Sequence, residues 1–216
     1  MLSIIIPTLN EEKYLPSLLD SIKKQSFTDY EIIIADAGSN DETMEIARKY
    51  GTIIVPGGMP GPGRNKGAKI AQGETLLFLD ADVVLTNEFL THTLSEFKQR
   101  SLVFAGFPIL IVSKNIFDIA INRFANVFAW LMWHIWPHAC VAIMVTKSLH
   151  EAIGGFDESI VMLEDICYTK KAVRNGRAGY INQKVFTSDR RRRQDGPGIY
   201  LKYFLAEMYT LFIGPI

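Results

Sequence analysis

A chain of 216 residues with 48% apolar and 21% charged side chains can bury a sizeable core and is too apolar to be disordered. Lys+Arg and Asp+Glu balance at 23 each, so no global field draws the protein to nucleic acid, and charge must be interpreted locally. Cys140 and Cys167 lack metal-ligand spacing and read as reduced thiols; MLSIIIPTLN has neither the basic region nor the apolar length of a signal peptide, so the expectation is a protein facing the cytoplasm.

LSIII (2–6) is a short, continuous, β-branched apolar run ending at Pro7, the pattern of a strand buried on both faces. Asn10 is then expected to cap a helix with Glu11 and Glu12 in its first turn and Leu15, Leu18, Leu19 and Ile22 on its apolar face. EIIIA (31–35) is the second strand, followed by Asp36, the turn AGSND, and a helix through 42–50 that Gly51 ends. TIIV (52–55) is the third strand. PGGMPGPGRNKG (56–67) reads as a loop leading into a short helical stretch, and TLLFL (75–79) is the fourth strand.

Beyond residue 100 the pattern predicts strands near 102–107 and 139–145, a helix from about Glu164 to before Gly176, and a strand near 180–186. Two oily segments, 115–136 and 199–216, have apolar residues at helical spacing with aromatic residues among them. Neither holds the uninterrupted ~18–20 apolar residues of a spanning helix, so each fits a core helix or a helix lying in a membrane interface. No internal repeat or linker divides the chain, which reads as one domain over 1–216, with halves at about 1–100 and about 101–196.

Short buried strands alternating with helices predict an α/β fold, a Rossmann-like, mainly parallel sheet flanked by helices. Ligands of such sheets bind beyond the carboxyl ends of the strands, where Thr8, Asn10, Glu11, Asp36, Asp80 and Asp82 fall. In LLFLDADVV (76–84) the triplet Asp80-Ala81-Asp82 offers two hard oxygen donors, suited to Mn2+ or Mg2+ held mainly by ligand phosphates. Aspartates that cap a following helix would leave the same letters. Gly61, Gly63 and Gly67 miss the dinucleotide fingerprint and follow strand three, which argues against a dehydrogenase. The four histidines show no ligand spacing, although His134 and His138 stand four residues apart.

SIIIPTLNEE (3–12), IIIADAGSNDET (32–43), GRNKGAKIAQGETLLFLDAD (63–82) and GGFDESIVMLED (154–165) stand in the order and approximate spacing of one family. The chain resembles the family 2 glycosyltransferases, which have the GT-A nucleotide-diphospho-sugar transferase fold. The resemblance implies a donor site of Pro7, Thr8, Asn10, Glu11, Asp36, Arg64, Asp80, Ala81, Asp82, Arg190 and Arg191. In it Asp36 matches the base-reading aspartate; a carboxylate accepts a hydrogen bond from the ring N–H of uracil or guanine, so UDP- and GDP-sugars both remain open. Asp82 is implied as the metal ligand, with Asp80 helping through the ribose or the metal's water shell. Glu164 and Asp165 match the catalytic acidic pair and Asp165 its general base, which implies inversion by a single displacement. Read alone, both acids could simply favour the start of a helix.

SDRRRRQDG (188–196) resembles the basic loop of some members, with Arg190 and Arg191 at the arginine positions and Arg192 where a tryptophan would stand. That departure removes an aromatic platform for the acceptor and leaves phosphate binding by guanidinium groups; a membrane-headgroup patch is the other use of such a run. The expectation is a metal-dependent inverting glycosyltransferase, mannosyltransferase-like, moving a hexose from GDP-mannose or a UDP-sugar to a hydroxyl of a lipid-linked acceptor. It would work at the cytoplasmic face of a membrane, held by its amphipathic helices and without nucleic acid. Three alternatives stand beside it: transfer to a polyprenyl phosphate, already ionised and needing no base; a sugar-nucleotide nucleotidyltransferase, whose Arg/Lys glycine loop after strand one is PTLNEE here; and a non-catalytic, membrane-bound nucleotide-binding module.

Overall fold

A computed structural model describes residues 1–113, 115–133, 137–196 and 198–212. In chain order the first half contains β1 (Leu2–Thr8), α1 (Leu15–Lys23), β2 (Tyr30–Asp36), α2 (Thr43–Lys49), β3 (Ile53–Pro56), α3 (Pro60–Ile70), β4 (Thr75–Leu79), β5 (Val83–Leu85) and α4 (Phe89–Gln99). The second half adds β6 (Phe104–Gly106), β7 (Ile109–Val112), α5 (Ile116–Met132), β8 (Ala142–Thr146), α6 (Lys147–Ala152), α7 (Glu164–Asn175), β9 (Ala178–Tyr180), β10 (Val185–Ser188), α8 (Arg190–Asp195) and α9 (Ile199–Phe212).

Among these residues seven strands form one sheet in the order β3-β2-β1-β4-β8-β6-β9, and β5-β10-β7 form a smaller one. The large sheet is mainly parallel, with β8 running against both its neighbours. Its strands alternate by face, as period-two geometry requires. Ile4, Ile6, Ile32, Ile34, Leu77 and Leu79 turn to one side and meet α1 through Leu15, Leu18 and Leu19. Ile5, Ile33, Leu76 and Phe78 turn to the other and meet Ala68 of α3 and Tyr168 of α7. The continuous apolar runs are therefore strands covered on both faces.

β1 has β2 on one side and β4 on the other, so the strand order reverses there and the carboxyl ends open a crevice. The register aligns Thr8 with Asp36, while β4 stays paired to β1 only as far as Ile5 opposite Phe78. Pro7 thus lies where β1 is paired on one side only.

Four expectations are corrected. Asn10 does not cap α1: it adopts a left-handed turn at φ 55°, and the helix starts at Leu15, where Pro16 fits the first turn. Glu11 and Glu12 consequently precede the helix. The Gly/Pro-rich segment is no loop beyond Met59, because Pro60 opens α3 and the glycines let that helix lie close on the sheet. A Cβ on Gly67 would come within 2.5 Å of Ile5 Cγ2 and one on Gly63 within 3.4 Å of Pro7 Cβ. The strand expected near 180–186 is two strands in two sheets, β9 and β10. Of the oily segments, the first is helical only to Met132, with buried Trp133 after it, while His134, Trp136 and residues 213–216 lie outside the described residues.

The close approach of α3 predicts that Gly67→Ala displaces that helix from Ile5, overpacking the core by about 1–3 kcal/mol. Urea unfolding, compared with the exposed-site control Lys69→Ala, checks it.

Candidate active site

The turn after β2 is built by Asp36. Its Oδ1 accepts hydrogen bonds from Thr8 Oγ1 at 3.0 Å and Ser39 Oγ at 2.6 Å, and its Oδ2 accepts from the backbone N–H of Gly38 at 2.9 Å and Ser39 at 2.8 Å. Burial alone would raise this carboxyl, but those four donors outweigh it and hold the group below its ordinary range. The same turn is tied to the segment after β1: Asn10 donates its N–H to Ser39 Oγ and accepts from the N–H of Asn40, and Glu11 donates its N–H to Thr43 Oγ1. An open cleft of about 520 Å3 lies against Asp36, walled by Met44, Ile54, Val55 and Gly57.

At the end of β4 the chain turns through Asp80, buried Ala81 and Asp82. Asp80 accepts from Arg64 Nη2 at 2.7 Å, and Arg64 Nη1 donates to Glu164 Oε1 at 2.6 Å. Arg64 is only 4% exposed, so α3 delivers a desolvated cation between the β4 end and the start of α7. Its guanidinium also lies 5.2 Å from the ring centre of Phe156, and its Nε meets no acceptor among the described residues.

Asp165 follows Glu164 on α7. Burial, and next the charge of Glu164, push its carboxyl up to about 6, against the pull of Arg64 and His138. The segment before β8 closes this side. Asp80 donates its N–H to the carbonyl of Val141, and Thr169 donates its hydroxyl to the carbonyl of Ala139.

Asp82 turns to the small sheet, accepting from Ser188 Oγ at 2.7 Å and Thr187 Oγ1 at 3.4 Å. Arg190 stands over it: Nη1 donates to both Glu11 oxygens, at 2.9 and 2.7 Å, Nη2 is 3.7 Å from Asp82, and the guanidinium lies 4.9 Å from the ring centre of Tyr14. Burial raises the Glu11 carboxyl; Arg190 opposes that shift, and the charges of Asp82 and Asp80 add to it. A cavity of about 140 Å3 beside Asp82 is lined by Tyr14, Ser17, Val112 and Ser188.

The structure therefore brings Thr8, Glu11, Asp36, Arg64, Asp80, Asp82, Glu164, Asp165 and Arg190 to one edge, with Pro7 backing α3 and Asn10 exposed on the rim. The side chain of Arg191 lies outside the described residues. No set of three metal-ligating side chains is gathered among the described residues. The donors nevertheless suit a hard cation, since Glu11, Asp80 and Asp82 lie close enough for their charges to interact, and Mg2+ or Mn2+ commonly takes one or two carboxylates and fills its shell from phosphates. Sequence reasoning missed Tyr14, Thr187 and Ser188, whose letters carry no periodic signal; Ser188 opens the quoted arginine motif without a role.

The sequence profile of glycosyl transferase family 2 matches residues 3–154. The chain is 39% identical over 98 residues to the poly(ribitol-phosphate) beta-N-acetylglucosaminyltransferase TarS of Staphylococcus aureus, covering 41% of this chain and 17% of that protein. It is 42% identical over 90 residues to a PGL/p-HBAD biosynthesis glycosyltransferase of Mycobacterium bovis, covering 38% of this chain and 35% of that one. The chain thus matches about a third or less of each relative's length. Among solved structures, TarS residues 1–349 in complex with UDP superposes with a TM-score of 0.71 at 22% identity, over 87% of this chain and 60% of that one. The mannosyltransferase PcManGT from Pyrobaculum calidifontis in complex with GDP-Man and Mn2+ gives 0.68 at 19%, over 86% and 56%. Both likenesses give the chain the GT-A fold.

Replacing Arg64 by Met leaves Asp80 and Glu164 without their shared cation. The expected loss is about 3–5 kcal/mol near neutral pH, the cost of orphaning buried charge. Urea unfolding of parent and variant at neutral pH, compared with the exposed-site control Lys69→Ala, reads that loss.

Proposed function

Because the chain belongs to glycosyl transferase family 2, we propose that it moves a hexose from a UDP- or GDP-sugar to an acceptor hydroxyl with inversion. The observation that carries this reading is buried Arg64, which joins Asp80 at the end of β4 to Glu164 of the α7 acidic pair, on the edge of the sheet where Asp36 and Asp82 also lie. Names of its structural relatives support a nucleotide-sugar donor, since they include complexes with UDP, UDP-GlcNAc and GDP-Man.

In this proposal the base of the nucleotide enters the cleft beside Asp36, with Met44, Ile54 and Val55 as its apolar wall. Asp36 already accepts three bonds from its own turn and one from Thr8 of β1, so in this proposal Ser39 Oγ turns away to let it read a ring N–H. Asp82 and Asp80 would hold a divalent cation, Mn2+ or Mg2+, which when bound would supply charge neutralisation for the departing diphosphate. Asp82 becomes available as Ser188 releases it, and Arg190, freed from Glu11, turns its fork toward phosphate oxygens, with Arg191 beside it in sequence.

Asp165 takes the proton of the acceptor hydroxyl as that oxygen forms its bond to the anomeric carbon and the bond to the diphosphate breaks. A carboxylate whose affinity for protons is raised by burial is a better base than one in water. Glu164, fixed by Arg64, keeps the start of α7 oriented and adds the negative charge that contributes to that rise. The proposed acceptor is a lipid-linked saccharide at a membrane surface.

Asp165→Asn is expected to lower transfer by about 10²–10⁴-fold while nucleotide binding, read by thermal shift, stays. Near-complete retention would favour a phosphate acceptor instead. In the parent, transfer needs the ionised carboxylate, so the rate should fall as pH drops below about 6. A screen of UDP- and GDP-sugars should release nucleoside diphosphate in a reaction that EDTA abolishes and Mn2+ or Mg2+ restores. Asp82→Asn should weaken the cation response more than Asp80→Asn, and release of pyrophosphate in place of nucleoside diphosphate would sink the proposal.

A further inference from the structure

α5 presents its polar and apolar faces in the reverse of the usual order. Asp118, Asn122 and Asn126 recur every four residues and point into the protein. Asn126 accepts from the N–H of Ile109 at 2.9 Å and donates to its carbonyl at 2.6 Å, Asn122 accepts from the N–H of Ile111 at 3.2 Å, and Asp118 accepts from Ser113 Oγ at 2.7 Å. The two asparagines occupy backbone groups along β7, which pairs with β10 on its other side. The helix is thus held to the small sheet by polar bonds that fix its rotation.

The opposite face is apolar and exposed. Phe117, Ile121, Phe124, Val127, Phe128 and Leu131 fall on one side at helical spacing, with Phe117 74% and Phe124 71% exposed. A helix in water buries such a face and shows its asparagines to solvent. Here the asparagines are spent on β7, so rotating the helix to hide the aromatic residues would strip backbone groups of their partners. Apolar clusters of this extent on a soluble surface mark a site of association.

We propose that the outward face of α5 lies in the plane of an anionic lipid bilayer, immersed at the headgroup–acyl boundary. Charge placement favours lipid over a second copy of the chain. Arg123 is exposed at the border of the apolar face. The parallel register puts Val112 beside Ser188, so the chain leaves the two strands side by side, into α5 from one and into the arginine-rich α8 from the other, where Arg190 is held by Glu11 and the exposed Arg193 pairs with Asp189. Aromatic side chains flanked by cations are the composition of an interfacial helix on acidic lipid. No helix among the described residues is long and apolar enough to cross a membrane, which fits a helix lying in the surface.

The surface also reaches the candidate active site, because exposed Val112 lines the cavity beside Asp82. A lipid-borne acceptor diffusing in the bilayer would meet that rim without leaving the membrane. This purpose rests on the proposed glycosyl transfer, whereas the surface itself does not.

Flotation of the purified chain with phosphatidylcholine vesicles, with and without phosphatidylglycerol, tests the proposal, with tryptophan fluorescence, to which exposed Trp130 contributes, as a second readout. The chain should float with the anionic vesicles, with a blue-shifted emission. The double variant Phe117→Glu/Phe124→Glu should lose partitioning by about tenfold or more with an unchanged circular dichroism melt, because two exposed aromatic anchors are replaced by charge. Arg123→Gln should reduce the preference for phosphatidylglycerol. A parent chain that stays unbound overturns the proposal, as does a double variant that floats equally well. A parent dimer dissolved by Phe124→Glu overturns it too, by assigning the face to a second copy. UDP or GDP thermal shifts on the same samples separate the two readings: flotation without nucleotide binding defeats the transferase alone, and nucleotide binding without flotation defeats the surface alone.

Discussion

The guanidinium of Arg64 joins residues that the chain places far apart. It meets Asp80 at 2.7 Å and Glu164 at 2.6 Å, and so ties α3 to the end of β4 and to the start of α7. A buried cation must be compensated, and two carboxylates in hydrogen-bond contact do so while hiding their own charge from water. Much of the local architecture follows from that requirement. α3 has to approach the sheet closely enough for Arg64 to reach both acids, and the glycines at 63 and 67 permit it by removing side chains that would strike Pro7 and Ile5.

Charge around this edge is left unbalanced toward the negative. Glu11, Asp80, Asp82, Glu164 and Asp165 gather near Arg64 and Arg190, five carboxylates against two guanidiniums. Burial first, and this imbalance after it, make Asp165 and Glu11 hold protons more tightly than exposed acids. The imbalance also makes the edge attractive to another cation, and Arg190 already stands over Glu11 and Asp82 as the protein's own. The two arginines differ in how they are enclosed. Arg64 is enclosed between packed elements, whereas Arg190 sits half-buried on a short helix after β10, held by Glu11 and the ring of Tyr14.

Most of the large sheet was legible because its strands are continuous apolar runs covered on both faces, a pattern that survives without knowledge of neighbours. The small sheet was not. β5, β7 and β10 have three or four residues each, too few for a period to declare itself, and β10 pairs with β5 and β7 only across long stretches of chain, Val185 with Leu85 and with Ile109. α3 was read as loop because glycine and proline carry a helix penalty in isolation; contact with Ile5 and Pro7 reverses that judgement in the folded protein. At the site, the aspartates at 36, 80 and 82 announced themselves by ending buried strands, since an ionised side chain there needs a reason. Their partners did not. Ser188 on Asp82 and Tyr14 under Arg190 are fixed by tertiary approach, and Arg64 carried no sign in sequence that one guanidinium would serve two acids.

The oily segment at 115–132 shows a different limit. Its amphipathic pattern reports that two faces differ, yet the pattern is the same whichever face the protein takes. The direction is decided by what the small sheet offers: β7 presents free backbone groups at Ile109 and Ile111, and the amides of Asn126 and Asn122 satisfy them as a neighbouring strand would. An edge strand has to be paired or covered. Covering this one with asparagines turns seven aromatic and aliphatic side chains between Phe117 and Leu131 outward. The exposed apolar surface is therefore a consequence of how a sheet edge is closed, and a surface produced that way remains in place whether or not nucleotide is bound.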